Sequence, residues 1–248
     1  MKRLALALFV SSLAVAGAAA AQGGDPVAAI AAAVADTQRP AADTARDAAR
    51  KPAEIVAFAG VKPGSIVAEM APGGGYYTRI LAKSVGPEGK VYAMVPAAVA
   101  SRPGALDAIN ALAAQYPNVK VVTVDYADMK LPEPVDLVWT TENYHDFHNG
   151  PTANVAAINH SVFSVLKPGG IFFVEDHAAA PGAGTTVTST LHRIEPAAVV
   201  QEMTAAGFVL DGQSDLLKNP ADPKTAGVRD PSVQGETEKF AMRFRKPG

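Results

Sequence analysis

The stretch Val67-Ala68-Glu69-Met70-Ala71-Pro72-Gly73-Gly74-Gly75-Tyr76-Tyr77-Thr78 decides how the rest of this 248-residue chain is read. A short apolar run, SIVAEM over 65–70, carries an acid, Glu69, next to its end and passes through three glycines into a helical segment over 75–84. Glycine suits such a turn because it tolerates left-handed dihedrals and lets a ligand approach the main chain. The helix that follows offers free N–H groups and the positive end of its dipole to a carboxylate or phosphate. A glycine run alone also serves as a plain turn, so its neighbours in the chain must carry the reading further.

Outward from that loop, strand-length apolar runs recur at 90–95 (KVYAMV), 119–124 (VKVVTV), 135–140 (VDLVWT) and 170–175 (GIFFVE). Helical patterns over 75–84, 104–115 and 152–166 separate them, and another over 52–59 precedes the first strand. Short, almost wholly apolar strands alternating with helices predict a parallel sheet covered on both faces. The rhythm breaks near the end. After a helix over 196–205 come a strand near 208–214 and a period-two strand over 237–245, where Phe240, Met242 and Phe244 alternate with Ala241, Arg243 and Arg245. No helix fits between these two strands, so they are expected to pair antiparallel.

Composition removes several function classes. With 22 basic and 24 acidic residues and no long basic run, the chain is not built to neutralise a nucleic-acid backbone. The absence of cysteine excludes disulfide scaffolds, thiolate metal sites and thiol nucleophiles together. At the N-terminus, Lys2 and Arg3 precede an uncharged apolar stretch closed by small residues at Ala19 and Ala21, the pattern of a secretory signal peptide. Its strongly apolar part is too short to span a bilayer. The expected division is 1–21 signal peptide, 22–50 an Ala-rich helical arm of two short helices, and 51–248 the main domain. The protein is then exported, to the periplasm, with no stable membrane anchor after cleavage.

Over roughly 51–245 the chain resembles the class I S-adenosylmethionine-dependent methyltransferases. Glu69 falls on the acid of their first motif, Ala71 on its first glycine, and Gly73 and Gly75 on the second and third, with Gly74 between them. The segment NVKVVTVDYADMKLP (118–132) is similar to the third-strand region, where an acid near Asp125 or Asp128 faces the adenine amine. LKPGG (166–170) followed by IFFVEDH resembles the turn and fifth strand. The resemblance implies a Rossmann-like seven-stranded sheet, mostly parallel with an antiparallel final strand and helices on both faces. It also implies S-adenosylmethionine as cofactor, held by Glu69, Ala71, Gly73, Gly74, Gly75 and Asp125, and a small-molecule acceptor.

One position departs from the pattern. The acid expected at the end of the second strand, which would bind the ribose hydroxyls, is replaced by Val95. A hydrogen bond to a charged group contributes roughly 1.5–3 kcal/mol, so its loss weakens binding by about ten- to a hundredfold. Glu88, in the loop before that strand, is the one substitute the sequence offers.

All five histidines lie between 145 and 192. ENYHDFHN (142–149) follows the fourth strand and Glu175-Asp176-His177 the fifth, both at the carboxyl edge where ligands bind in doubly wound sheets. Three readings compete: a general base with substrate-binding neighbours, a metal site, and polar groups that only stitch loops together. The expected catalytic set is His145 as base with Tyr144, Asp146 and His148 shaping the acceptor site, and no metal. His160 falls within a helix and is assigned no role. The long connection 177–193 has the length of a functional lid, with His192 and Arg193 at its end, poised either to meet an acidic substrate group or to pack within the domain. The leading expectation is a methyltransferase acting on a small molecule. The alternative is an exported metal- or ligand-binding protein on the same scaffold that no longer uses the cofactor.

Overall fold

The computed structural model describes residues 24–248, so the signal segment read over 1–21 lies outside the described residues. The arm forms three short helices rather than two: α1 (Pro26–Val34), α2 (Ala41–Thr44) and α3 (Asp47–Arg50), followed by α4 (Pro52–Ala59). The alternating domain then runs β1 (Ile66–Met70), α5 (Tyr76–Val85), β2 (Lys90–Pro96), α6 (Ala97–Ala100), α7 (Asp107–Ala113), β3 (Val119–Val124), β4 (Val135–Thr141), α8 (Val155–Val165) and β5 (Leu166–His177). It closes with α9 (Thr188–Leu191), α10 (Pro196–Ala205), β6 (Val209–Ser214) and β7 (Lys239–Arg245). Among the described residues no helix is long and apolar enough to cross a membrane.

The seven strands form one sheet in the order β3-β2-β1-β4-β5-β7-β6. β1 to β5 pair in parallel, and β7 lies antiparallel between β5 and β6. Alternate residues of each strand feed two cores. Ala68, Met94, Val138, Phe172 and Met242 face α8 and α10, where Val162, Val199 and Met203 receive them. Val67, Ala93, Leu137, Trp139 and Phe173 face α1, α4 and α5, through Ile30, Ile55, Ile80 and Leu81. The near-continuous apolar character of the strands follows from this burial on both faces.

Two local readings change. α8 begins at Val155 because the Asn154 side chain accepts from Ala157 N–H, three residues later than the sequence pattern suggested. LKPGG is no free turn: β5 starts at Leu166, paired with Val135, and the register shift before Leu137 absorbs the glycines. The connection 177–193 is not a free lid either. Arg193 is fully buried, forms a two-pronged ion pair with Asp222 at 2.7 and 3.1 Å, and donates to Ala178 O.

The chain reverses direction across the sheet between β1 and β4, which opens a crevice at their carboxyl ends. The glycine loop lies on one side of that crevice and the histidine-rich segments on the other.

Candidate functional site

β1 delivers Glu69 to the sheet edge almost fully buried, with its Oε2 accepting from Thr78 Oγ1 at 2.6 Å. Burial pushes its carboxyl up to about 7, against the pull of Thr78 and Arg79. The loop that follows takes left-handed dihedrals at Ala71 (φ 48°), Gly73 (55°) and Gly75 (81°). Alanine at the first of these carries the strain that glycine there would avoid. A Cβ on Gly73 or Gly74 would meet nothing within 4 Å, so the loop faces open space. A Cβ on Gly75 would lie 2.1 Å from Leu112 Cδ1 of α7, on a left-handed backbone that already favours glycine.

The ribose end of the crevice is different. Val95 is buried and apolar, and the Tyr126 hydroxyl occupies the backbone groups beside it, donating to Met94 O at 2.9 Å and accepting from Ala71 N–H at 2.7 Å. Asp125 is exposed and caps the 3-10 turn Tyr126–Asp128 by accepting from Ala127 N–H. Glu88 precedes β2, at the opposite edge of the sheet, and cannot reach the carboxyl end of that strand.

The arm closes over this region. Arg39 and Asp43 are buried. Arg39 pairs with Asp47, which accepts from the Tyr76 hydroxyl at 2.6 Å, and Asp43 pairs with Arg79 at 2.9 Å. Arg46 and Arg50 lie 4.7 and 4.8 Å from the Tyr76 ring. Arg50 also joins Glu142, a residue with left-handed backbone that shares Lys239 with Glu175. Burial alone would raise Glu142, and Lys239 and Arg50 reverse it to well below the usual range, whereas burial keeps Glu175 raised.

Beside these groups lies a cleft of about 480 Å³ lined by Arg46, Arg50, Glu142, His145, Asp146, His177, His192, Arg229, Thr237 and Lys239, among others. Asp176, fully buried, accepts from His145 Nδ1 at 2.8 Å and from the His145 backbone N–H at 2.7 Å, which leaves Nε2 to meet His192 Nδ1 at 3.2 Å in the wall of the cleft. Burial opposes charge on this ring, and Asp176, with Asp146 and Glu142 behind it, raises its proton affinity above the ordinary histidine value. His177, held by Thr237 at 2.9 Å, is driven by burial down to about 4.

The four expected catalytic residues are not brought together. His145 and Asp146 line the cleft, but Tyr144 and His148 turn toward α10. The Tyr144 hydroxyl donates to Glu202 Oε2 at 2.9 Å and accepts from Asn159, and His148 Nε2 meets Glu202 Oε1 at 2.8 Å. The sequence reading assigned no site role to Arg46, Arg50, Glu142 or Lys239. The first two belong to the N-terminal arm and Lys239 to the last strand, all far along the chain from the histidines.

Residues 68–174 match a family described as a methyltransferase domain. No curated protein sequence matches the chain. Among solved structures, a SAM-dependent methyltransferase from Aquifex aeolicus is similar at 18% identity, with 77% of this chain and 87% of that chain covered and a TM-score of 0.58. Aeropyrum pernix fibrillarin, solved with natively bound S-adenosyl-L-methionine, is similar at 14% identity over 80% of this chain and 76% of that one, with a TM-score of 0.52. The [4+2]-cyclase SpnF shares the fold at 17% identity over 90% of this chain and 93% of that one, with a TM-score of 0.57. One scaffold thus carries different chemistries, and the reaction must be argued from the site.

Proposed function

We propose that this chain, with its methyltransferase-domain match over residues 68–174 and the fold of the SAM-dependent methyltransferases, transfers a methyl group to a small polar acceptor held in the His145 cleft. The observation that carries the proposal is the Asp176–His145 pair, which aims an imidazole nitrogen into a cleft at the carboxyl edge of β4 and β5.

The residues present fit the amino-acid end of the cofactor. Open space before Gly73 and Gly74, with the N-terminus of α5 behind it, suits a carboxylate. Glu69 is a buried carboxylate without a cationic hydrogen-bond partner and suits an ammonium. The ribose end offers Val95 and a tyrosine already engaged, so weak binding is expected there, and Asp125 remains the residue that the resemblance assigns to the adenosine. Bound S-adenosylmethionine supplies a methyl group already activated on a sulfonium, and the protein's main contribution is positioning.

His145 Nε2 takes the proton from an acceptor O–H or N–H, and Asp176 fixes the tautomer that makes this possible. Arg50 and Lys239 are paired with Glu142 and Glu175, so the cleft presents both signs of charge and suits a polar acceptor. Export rests on the Lys2-Arg3 and apolar pattern, and nothing in the comparisons favours a scaffold that has abandoned the cofactor.

The test is transfer of a labelled methyl group from S-adenosylmethionine to a panel of small hydroxyl and amine compounds. Labelled product is expected, with His145→Asn slower by about 10²–10⁴-fold. Transfer at the same rate in that variant would overturn the assignment.

A further inference from the structure

Three atoms of ligand type converge on the wall of the cleft. His145 Nε2 lies 3.2 Å from His192 Nδ1 and 3.4 Å from Asp146 Oδ1, and the last two are 3.6 Å apart. These separations match the edges of a tetrahedral site, about 3.3–3.4 Å for metal–ligand bonds of 2.0–2.1 Å. A point about 2.1 Å from all three atoms lies roughly 0.7 Å off their plane, which leaves the fourth tetrahedral direction free.

The protonation of the cluster points the same way. With its Nδ1–H donated to Asp176, neutral His145 carries a lone pair on Nε2, and Asp146 presents a carboxylate oxygen to it. With the His145 ring neutral, these three atoms within 3.6 Å of one another share at most the one hydrogen that His192 Nδ1 can bring, and a proton on Nε2 competes with a cation for the same place. Asp176 adds the outer-shell carboxylate that metal-bound imidazoles ordinarily have, fixing both tautomer and ring orientation. Two carboxylates, Asp146 directly and Asp176 through His145, balance a double positive charge.

We infer that His145, Asp146 and His192 form a binding site for a divalent transition-metal ion of the zinc type, with its open position facing the cleft. Two imidazoles with one carboxylate select such ions over magnesium or calcium, which take oxygen ligands. The site is accessible, since the Asp146 and His192 side chains are 49% and 33% exposed. The inference needs only the chain's own atoms and goes beyond the methyl-transfer reading. A cation bound there takes the Nε2 lone pair, so zinc and deprotonation at His145 exclude each other.

The experiment is a zinc titration of tag-free, chelator-stripped protein without S-adenosylmethionine, against a competing indicator and with melting curves in parallel. One zinc per chain is expected, with a rise in melting temperature and no response to magnesium. His192→Ala and Asp146→Asn should each weaken binding at least tenfold, and His160→Ala, at an exposed helical position, should not. No zinc bound, or equal affinity in wild type and His192→Ala, would overturn the site. Because no cofactor is present, either failure leaves the methyl-transfer reading standing.

Discussion

Asp176 grips His145 twice, one carboxylate oxygen on the ring Nδ1 at 2.8 Å and the other on the backbone N–H at 2.7 Å. The pair joins the end of β5 to the turn after β4, and both residues are buried. It holds the ring orientation on which every use of His145 in this account depends. Asp176→Asn can keep the shape but leaves an uncharged partner for the ring. It is expected to lower unfolding free energy by about 2 kcal/mol, the value of a hydrogen bond to a charged group. Zinc affinity should fall by about 10–100-fold, as outer-shell changes do. Chemical denaturation and zinc titration of the same sample read both effects, and an unchanged stability would contradict the role given to the pair.

Glu69 makes a prediction in pH. Burial lifts its carboxyl from 4.5 to about 7, so the folded chain holds this proton more tightly than the unfolded one. The resulting stabilisation is complete below about pH 4.5 and is lost as pH rises through about 7, a change on the order of 3 kcal/mol. Glu69→Gln removes the titration and keeps an acceptor for Thr78. Its stability advantage over the wild type is expected to grow between pH 5 and pH 8. The same variant should bind S-adenosylmethionine less well, having lost a charge for the ammonium. A pH-independent difference in denaturation midpoint would contradict the account.

The buried Arg193–Asp222 pair ties the long connection after β5 to the segment before β7. Removing one member leaves the other charge uncompensated, so Arg193→Ala should cost about 3–5 kcal/mol. The double variant Arg193→Met with Asp222→Leu should recover most of that loss. A double variant as unstable as the single one would show that packing, not the unpaired charge, sets the cost.

How much of this was legible in the sequence follows from the range of the interactions involved. The strands stood out because sheet burial on both faces leaves runs such as VKVVTV and GIFFVE with little choice of residue. The glycine loop stood out because its constraint is local, a backbone turn. The roles of Asp43 and Asp47 were not legible because their partners Arg79 and Tyr76 lie 36 and 29 residues further on. Tyr144 and His148 were grouped with His145 by adjacency alone, and only Glu202, 58 and 54 residues further on, shows that they face another way. His192 entered the site through a left-handed backbone at φ 54°, which no spacing rule announces in a non-glycine residue.

Val95 offers a gain-of-function test. If the ribose of the cofactor lies beside it, Val95→Asp restores an acceptor for the hydroxyls, and affinity for S-adenosylmethionine should rise at least tenfold. The unliganded variant should be less stable, because Val95 is only 6% exposed. Affinity that stays level or falls, in a variant shown to be folded, would contradict the placement of the ribose.

The central claim is that the loop Gly73–Gly75 and Glu69 cradle the cofactor, and Gly74 tests it with the least disturbance. Its backbone is not left-handed and a Cβ there meets nothing within 4 Å, so Gly74→Val fills the space before the loop without straining the fold. The decisive measurement is a calorimetric titration of S-adenosylhomocysteine into wild type and Gly74→Val, with melting curves to show that both are folded. The account predicts saturable one-site binding to the wild type and at least tenfold weaker binding to the variant at a similar melting temperature. No saturable binding to the wild type up to millimolar ligand, or equal binding to both proteins, would contradict it.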